Sequence, residues 1–504
     1  MPMLMKSAVA SGHERVTEAA CEILQAGGNA FDAAIAGGFA AAVAEPALTS
    51  LGGGGFLLAR TAEGATTLFD FFVDTPGRGL AGSALEPHFV PVTVRFPASE
   101  QVFNAGLGSA AVPGNLRGYL HVHRRLGRLP LKDVLTPATQ LAREGLALNG
   151  HQSYFLDLLR PIMTLTPAGC ELFQPDERYL TAGDRFANPG MAAFLDILPS
   201  EGEREFYQGA IARRIVEDMQ AGQGLITLDD LATYQVIERK PLTTAYRDYQ
   251  LLTNPPPSFG GTLVALSLQL LEAQDIGTLD FGSARHLCFL AAVMQEVDRL
   301  RAQGYLTSAE FDTDKLLTGH QRALRTASSG TTQLSVCDTE GNVASMTTSN
   351  GEGSGYIVPG TGIMLNNMLG EDDLHPDGFH AASPGVRVAS MMAPSLLLHG
   401  DRVQLVLGSG GSKRIRTALL QVLSHVIDFG MAIEEAIGRP RLHWDGQCLQ
   451  VEPAVQEQAL AALEARWPLN RWPVQDVYFG GVNAVAPTGA AGADARRGGN
   501  ARVL

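Results

Sequence analysis

Residues 30–44 form an apolar stretch without a polar face, and this stretch limits the possible folds more than any other. Asn29 can cap a helix here, and the helix has to end before Pro46. A helix that is apolar all round is buried on nearly all sides. The stretch is too short to span a bilayer, and it contains Asp32. The sequence therefore predicts a helix buried inside a large core.

The composition supplies such a core. Hydrophobic residues make up 45% of the 504 residues and charged residues 18%. Length alone suggests roughly three domains of ~150 residues, although a large layered α/β fold can form a single unit. The 56 glycines occur in short runs without a repeat. Such runs indicate tight turns rather than collagen or disorder.

The charge pattern and the N-terminal residues exclude several classes of partner. The formal net charge is −14, with no basic block other than Arg496-Arg497. Nucleic acid is therefore not expected as a partner. Residues 1–20 lack the apolar core of a signal peptide, so a soluble, cytoplasmic protein without a membrane partner is expected.

The cysteines and histidines do not predict a metal site. The five cysteines are odd in number, widely spaced and without a C-x-x-C pair, so neither a disulfide framework nor a zinc cluster is indicated. Reduced, mostly buried thiols are expected at Cys21, Cys170, Cys288, Cys337 and Cys448. His121 and His123 lie two residues apart in a predicted helix, where their side chains face apart.

The pattern of predicted elements changes at Gly330. Helices dominate before it and strands after it, and neither part looks able to bury its apolar faces alone. The helices are predicted at 14–26, 30–45, 116–126, 131–145, 203–221, 228–234, 262–273, 285–304 and 414–430. The strands are predicted at 56–59, 69–73, 331–336, 343–348, 363–365, 394–398 and 403–407. Residues 78–103 show no clear period, 254–261 read as an extended loop, and 308–330 as a polar, adaptable segment.

Thr331 stands where the polar segment meets a strand. It can be an ordinary β-branched strand residue. A second interpretation requires a cut before it, in which the hydroxyl attacks the preceding carbonyl and hydrolysis releases a free α-amine. Gly330 can accept the strained geometry of such a shift. The freed amine, with a pKa near ~7.7–8.0, can then serve as the base for the threonine's own hydroxyl.

A second candidate feature is the strand-to-helix turn at residues 408–412, GSGGS. Backbone N–H groups at a helix start favour negative charge, and the glycines allow close approach. The turn can form an oxyanion hole or be merely structural. The spacing of a nucleotide-binding P-loop is not met. Two weaker candidates are the glycine run at 51–56, for an anion or for close packing, and Asp372-Asp373, for a cation or an amine.

Taken together, these motifs make the chain resemble the γ-glutamyltransferase family of N-terminal nucleophile hydrolases. The similar stretches occur in the family's order over nearly the whole chain. They are GGNAFDAA (27–34), LGGGGF (51–56), PPPSFGG (255–261), TTQLSV (331–336), GIMLNN (362–367) and the Gly410-Gly411 turn.

The resemblance implies a fold and a set of roles. The fold is α+β, a four-layer αββα sandwich of two packed, mainly antiparallel sheets with helices outside. Residues 1–330 would form a large subunit and 331–504 a small one, sharing one domain after self-cleavage between Gly330 and Thr331. No metal or organic cofactor is implied. Thr331 would be the nucleophile, Thr348 would orient its hydroxyl, and Gly410 and Gly411 would form the oxyanion hole.

The resemblance also implies a pocket for a γ-glutamyl donor. Asn350 would hold the donor's carboxylate together with Ser390, and Asp373 would pair with its α-amine. The sequence departs from the family here. Phe72 stands where the family has a carboxylate-binding arginine, for which Arg78 is only an approximate substitute. Met391 replaces a second serine and Met368 a Gln or Glu, while the loop before Asp373 is longer and the turn before Gly410 lacks a proline.

Three functions remain open from the sequence. The first is a γ-glutamyl acyltransferase or hydrolase that acts on glutathione-like amides through an acyl-threonine, with water or an amine or peptide as acceptor. The second is a related amide acylase for a different acyl chain, such as a dicarboxylic monoamide or a cephalosporin-type substrate, which the departures favour. The third is an unprocessed paralogue that serves as a binding scaffold.

Overall fold

A computed structural model describes residues 5–80, 88–96, 99–304, 330–375, 378–379 and 381–504. The α-helices are α1 Glu14–Gln25, α2 Ala30–Ala44, α3 Asn115–Leu126, α4 Leu131–Glu144, α5 Gly150–Leu158, α6 Arg160–Met163, α7 Pro167–Phe173, α8 Pro189–Glu201, α9 Arg204–Tyr207, α10 Ala210–Ala221, α11 Leu228–Thr233, α12 Phe259–Glu272, α13 Ala284–Ala302, α14 Arg414–Ile427, α15 Ile433–Gly438 and α16 Glu457–Glu464.

The strands form two large sheets and several small ones. They are β1 Ala8–Ser11, β2 Gly54–Arg60, β3 Thr66–Phe71, β4 Val90–Phe96, β5 Ser99–Ala105, β6 Leu146–Ala147, β7 Arg185–Phe186, β8 Ile237–Arg239, β9 Leu242–Tyr246, β10 Tyr249–Thr253, β11 Thr332–Cys337, β12 Val343–Ser349, β13 Ile357–Val358, β14 Ile363–Met364, β15 Ser395–His399, β16 Arg402–Gly410, β17 Leu442–Trp444, β18 Leu449–Val451, β19 Leu469–Arg471, β20 Gly481–Ala486, β21 Ala490–Gly492 and β22 Asn500–Val503.

Two antiparallel sheets form the centre of the molecule. The first has the strand order β22-β1-β11-β12-β2-β3-β8 and the second the order β21-β20-β16-β15-β10-β9. Strands β11 and β12 pack against β16 and β20 of the second sheet. Helices α1 and α2 cover the outer face of the first sheet, and α12 and α14 cover that of the second. The predicted four-layer αββα sandwich is therefore confirmed.

Strands from both sides of Gly330 alternate within the sheets. In the first sheet, β11 and β12 lie between β1 on one side and β2 on the other. In the second sheet, β9 and β10 precede Gly330 in sequence and pair onto β15. This interleaving explains why neither part of the sequence has enough apolar partners by itself.

Helix α2 is buried along its entire length, as its apolar composition predicts. Asn29 caps it by accepting hydrogen bonds from the backbone N–H groups of Phe31 and Asp32. One face of α2 contacts α1, and its inner face lies on β11 and β12. The helix thereby supports the strand that begins directly after Thr331.

The structure corrects several element boundaries. Residues 78–103, where no element was predicted, contain β4 and most of the hairpin partner β5. The predicted helix 203–221 is two helices, because the backbone departs from helical geometry at Gln208 and Gly209. The predicted loop 254–261 is shorter, since α12 begins at Phe259. Gly260 allows this start, because a Cβ there would lie 2.0 Å from the Met391 carbonyl oxygen.

Two further findings concern the helices and the cysteines. Among the described residues, no helix is both long enough and apolar enough to cross a membrane. All five cysteines are free thiols: Cys21, Cys288 and Cys337 are buried, and Cys170 and Cys448 are partly exposed.

Candidate active site

Thr331 is buried at the base of β11, immediately after Gly330, and only 3% of its surface is exposed. The Gly330 carbonyl accepts a hydrogen bond from the Ser349 hydroxyl, which lies at the end of β12. No other residue fits at 330, because a Cβ would lie 2.4 Å from the Gly351 carbonyl oxygen and 2.8 Å from that of Ala47. The junction predicted to be cut is thus a tightly packed glycine whose carbonyl is polarised by a hydroxyl.

Thr348 lies beside this junction. In the antiparallel register of β11 and β12 it faces Thr332, the residue after the predicted nucleophile. Its hydroxyl accepts a hydrogen bond from Thr49 at 3.0 Å. Thr331 and Thr348 both belong to the described part of the chain, and no hydrogen bond joins their hydroxyls there. The orienting role of Thr348 stays a prediction.

The glycine turn lies against Thr331. A Cβ at Gly410 would stand 2.2 Å from the Thr331 carbonyl oxygen, so only glycine permits this approach. Gly411 has φ +121°, a left-handed conformation that side chains disfavour. Helix α14 follows at Arg414. The turn therefore brings backbone from the second sheet next to the predicted nucleophile, and its role as an oxyanion hole stays a prediction.

A small recess of about 20 Å³, room for roughly one water molecule, opens in front of Thr331. Its described walls are mostly apolar side chains with three serines and one acid. They are Phe72, Thr331, Ser349, Met368, Glu371, Leu374, Ser390, Met391, Met392, Ser412 and Ile415. Among these described wall residues there is no arginine or lysine. The three residues that depart from the family pattern, Phe72, Met368 and Met391, all face this recess.

The predicted donor-binding residues have different positions. Ser390 lines the recess, and its hydroxyl accepts a hydrogen bond from the Met392 N–H at 3.1 Å. Asn350 is buried, its side-chain N–H donates to the Leu365 carbonyl at 3.3 Å, and it is not among the described wall residues. Asp373 lies in a single helical turn at 372–374, and its side chain is outside the described part of the structure.

Glu371 is a wall residue that the sequence did not single out. It is buried, and its carboxylate lies near Gly351, where a Cβ would be 2.5 Å from one carboxylate oxygen. It lies in the longer loop that precedes Asp373. A clear signal was available, because Glu371 begins the acidic run Glu371-Asp372-Asp373.

Two arginines, Arg78 and Arg387, pair with acids and are not among the described wall residues. Arg78 lies against Asp230, with its Nε 3.9 Å from a carboxylate oxygen, and its substitution for the missing arginine stays a prediction. Arg387 donates to the Phe72 carbonyl at 2.5 Å, but it is buried between Asp70 at 3.1 Å and Asp74 at 2.8 Å. Phe72 itself stacks on Phe56 with ring centroids 5.5 Å apart.

Two charged residues contact Thr331 and Thr332 directly. Arg497 donates from one guanidinium nitrogen to the Thr331 carbonyl at 3.1 Å. Glu45 accepts from the Thr332 hydroxyl at 2.9 Å. Burial raises the pKa of Glu45 to about 7 and lowers that of Arg497 to about 10. Sequence reasoning noted Arg497 only as part of a basic pair, because nothing in the sequence shows that the fold buries it.

The glycine run at 51–56 serves close packing. A Cβ at Gly53 would lie 2.0 Å from the Ser349 carbonyl oxygen, and one at Gly55 would lie 2.6 Å from that of Thr347. The run therefore lets β2 and the turn before it pack directly on β12, the strand that carries Thr348 and Ser349. Of the two interpretations open from the sequence, close packing accounts for the run.

Comparison with known proteins agrees with this geometry. A profile described as Gamma-glutamyltranspeptidase matches residues 16–320 and 297–504. The chain belongs to this family. The γ-glutamyltranspeptidase relatives include proteins of two descriptions. An Acylase ACY 1 proenzyme from Pseudomonas sp. (strain SE83) is 33% identical over 95% of this chain and 89% of its own length. A glutathione hydrolase proenzyme from Escherichia coli (strain K12) is 31% identical over 91% and 84%.

Solved structures related to the γ-glutamyltranspeptidase family show the same architecture. The cephalosporin acylase from Bacillus halodurans has a TM-score of 0.82 at 25% identity and covers 99% of this chain and 96% of its own. The γ-glutamyltranspeptidase from Helicobacter pylori has a TM-score of 0.51 at 30% identity and covers 61% and 86%. The fold and the family are therefore established, whereas the relatives' names divide between acylases and glutathione hydrolases.

Proposed function

We propose that this chain is an amide acylase with an N-terminal threonine nucleophile, which hydrolyses or transfers an acyl group that lacks a charged α-amino acid head. The observation that carries the proposal is the recess in front of Thr331, whose described walls include Phe72, Met368 and Met391 and no cation. The word proenzyme in the names of both groups of relatives supports maturation by cleavage.

Maturation begins with the Thr331 hydroxyl. Its oxygen attacks the Gly330 carbonyl carbon, the C–N bond to Thr331 breaks, and an ester forms between Gly330 and the threonine oxygen. The Ser349 hydroxyl, which donates to the Gly330 carbonyl oxygen, stabilises the charge that develops there. Water then hydrolyses the ester, which leaves Gly330 as a carboxylate and Thr331 with a free α-amine.

Catalysis repeats this chemistry on an external amide. The α-amine of Thr331 accepts the proton of its own hydroxyl, and the oxygen attacks the donor's carbonyl carbon. Backbone N–H groups at Gly410 and Gly411 stabilise the oxyanion. The ammonium returns the proton to the leaving amine, and an acyl-threonine ester remains. Water or a second amine then attacks the ester with the same base and releases the acid or a new amide. No step requires a metal or an organic cofactor.

The chemistry of the recess favours one of the two classes of acyl donor. A γ-glutamyl donor carries an α-ammonium and an α-carboxylate, and an unpaired buried charge costs several kcal/mol, of order ~3–5. Phe72 and Met391 offer no hydrogen bond to a carboxylate. Arg387, the cation nearest to Phe72, is held by Asp70 and Asp74. An uncharged acyl chain meets these walls without that cost.

A γ-glutamyl donor is the second candidate, and one observation favours it. Glu371 and Ser390 share the recess with Thr331, so an acid and a hydroxyl lie where a donor's amine and carboxylate would need partners. The glutathione hydrolase relatives point in the same direction.

A comparison of anilide donors distinguishes the two candidates. The KM is measured for three donors: hexanoyl, glutaryl and γ-glutamyl p-nitroanilide. We expect the KM of the hexanoyl donor to be lower than that of the γ-glutamyl donor. Met391→Ser should lower the KM for the γ-glutamyl donor, and Phe72→Arg with Met391→Ser should lower it further, by roughly tenfold or more, because each hydrogen bond to a charged group contributes ~1.5–3 kcal/mol. The matched control is Met392→Ser, which adds a hydroxyl to the same recess at a different wall position.

The outcomes are separable. If the wild-type protein hydrolyses the γ-glutamyl donor with the lowest KM of the three, the glutathione-hydrolase candidate is correct and the acylase proposal is wrong. If Met392→Ser improves γ-glutamyl binding as much as Met391→Ser does, the identity of residue 391 does not determine donor choice.

A further inference from the structure

A second cavity, separate from the recess, lies beside the start of β11, where two of its wall residues contact Thr331 and Thr332. It is small, about 20 Å³, which is room for roughly one water molecule. Its walls include one acid, one arginine and two histidines: Glu45, Arg497, His13 and His151. None of these side chains has a part in the chemistry described above.

Arg497 is fixed in this cavity by two carbonyls. One guanidinium nitrogen donates to Thr331 at 3.1 Å and the other to Val477 at 3.2 Å. The side chain is 7% exposed, so its charge is poorly screened by water. A residue's own carbonyl oxygen and amide nitrogen are no more than about 3.6 Å apart by covalent geometry. The guanidinium charge therefore lies within about 7 Å of the Thr331 α-nitrogen.

Glu45 faces the same backbone from the end of α2. One carboxylate oxygen accepts from the Thr332 hydroxyl at 2.9 Å. Gly12 makes room for this contact, since a Cβ there would lie 2.7 Å from the other Glu45 oxygen and 2.7 Å from the Thr332 hydroxyl. Glu45 and Arg497 interact electrostatically, because each shifts the pKa of the other towards its charged form.

We propose that Arg497 and Glu45 are positioning residues that set the basicity of the Thr331 α-amine without touching the acyl donor. The proposal rests on the proposed function, since that amine exists only after the cut before Thr331. The amine works as a base only when it is neutral. A guanidinium next to it disfavours the ammonium form and keeps the amine neutral at lower pH, whereas the Glu45 carboxylate opposes this effect.

Other charged groups also act on this cluster. Arg414, Asp494 and Asp476 act electrostatically on Arg497. His13 and His151 line the cavity, and Glu371 lines the recess. Burial lowers the pKa of His13 to about 4, so His13 is neutral in the working range. Arg414 and the two aspartates are unchanged in the variants below, so their effect is common to all of them.

The two residues have opposite predicted effects on the pH profile of kcat/KM, which reports the ionisation of the free enzyme. In Arg497→Gln the amine loses a neighbouring cation, its pKa rises, and the acidic limb moves to higher pH. In Glu45→Gln the amine loses a neighbouring carboxyl group, its pKa falls, and the limb moves to lower pH. Because burial raises the pKa of Glu45 to about 7, this carboxyl is only partly ionised near the limb. The Arg497→Gln shift is therefore expected to be roughly half to one pH unit, and the Glu45→Gln shift smaller.

The experiment measures this profile for matured protein with the best anilide donor. Arg497→Lys keeps the charge and should keep the limb near that of the wild type. Arg416→Gln is the matched control, because it removes an equally buried arginine on α14 that pairs with Asp298 at 2.8 Å and is not among the described groups that shift the pKa of Arg497 or Glu45. It should lower the thermal transition and leave the limb in place.

Opposite shifts of the two variants, with Arg416→Gln unmoved, support the proposal. Limbs that stay within about 0.2 pH units of the wild type, or that move in the same direction, overturn it. If Arg497→Gln does not mature, Glu45→Gln alone decides, and a limb that fails to move to lower pH refutes the tuning. If the wild-type protein is active and is cut before Thr331, the proposed function stands in either case. A protein that is not cut there overturns both.

Discussion

Gly410 is the single residue at which the smallest change should have the largest effect on catalysis. An added methyl group would lie 2.2 Å from the Thr331 carbonyl oxygen and would displace the nucleophile from the turn. Loss of one oxyanion donor typically lowers kcat ~10²–10³-fold. We expect Gly410→Ala to lose kcat by about this factor in whatever fraction of the protein is folded and matured.

Gly277→Ala is the matched control for that substitution. A Cβ at Gly277 would lie 2.6 Å from the Asp428 carbonyl oxygen, a similar clash in a part of the fold far from Thr331 in the chain. It should lower the thermal transition and leave kcat per matured molecule nearly unchanged. Equal losses of kcat in the two variants would show that the Gly410 effect is one of stability alone.

The residues of the site were predictable to different degrees. Thr331 and Gly410 were recognised because each belongs to a short motif, and Ser390 because of the family resemblance. Thr331 and Ser390 line one recess, and Gly410 lies against the Thr331 carbonyl. Arg497 was not recognised, because it meets Thr331 across 166 residues of sequence. A contact of that kind depends on how β11 and the C-terminal turn pack, and no local pattern reports it.

Helix α2 shows how an element positions the nucleophile without contacting any substrate. Its glycines let it pack closely on the sheet: a Cβ at Gly38 would lie 2.9 Å from Met346 on β12 and 2.9 Å from the ring of Tyr119. That ring also meets Phe39 and Phe71 edge to face, so it cannot move aside easily.

Gly38→Val should therefore destabilise the protein. Overpacking of a dense core typically costs ~1–3 kcal/mol. We expect a lower thermal transition and slower maturation, measured by calorimetry and by the appearance of fragments on a denaturing gel. Gly438→Val is the control, since a Cβ at this helical glycine meets no atom within 4 Å. If both variants melt at the same temperature, close packing of α2 is not what stabilises the sheet.

At the level of elements, periodicity predicted the long helices and the central strands but not the short or irregular ones. Helices α3 and α4 and strands β11 and β12 lie within two residues of their predicted bounds, since each has a clear apolar face. The β4–β5 hairpin was missed because Pro91 and charged residues on both strands hide the alternation. The four helices between 150 and 201 were missed as well, because two of them are short and the apolar residues of α5 and α8 are not confined to one face.

The whole molecule is an interleaved sandwich with a potential cut at its centre. Strand β11 begins one residue after Thr331 and pairs with β1 and β12, so the segments before and after the junction share a continuous sheet. Helix α2 and strand β1 from the first segment cover or flank β11, and β22 from the second segment pairs with β1. Cleavage at the junction would therefore leave two chains that cannot separate without unfolding both sheets.

Mass spectrometry of the purified protein tests the central claim, that Thr331 becomes the N-terminal nucleophile. We predict that the protein elutes as a single species in native gel filtration. Under denaturing conditions it should separate into two chains, residues 1–330 and residues 331–504, and the second chain should begin Thr-Thr-Gln-Leu-Ser. Thr331→Ala should remain a single chain of about 53.5 kDa with the same thermal stability or better. An intact wild-type chain would favour the unprocessed scaffold. A different cut site, or cleavage that persists in Thr331→Ala, would contradict the assignment of the nucleophile.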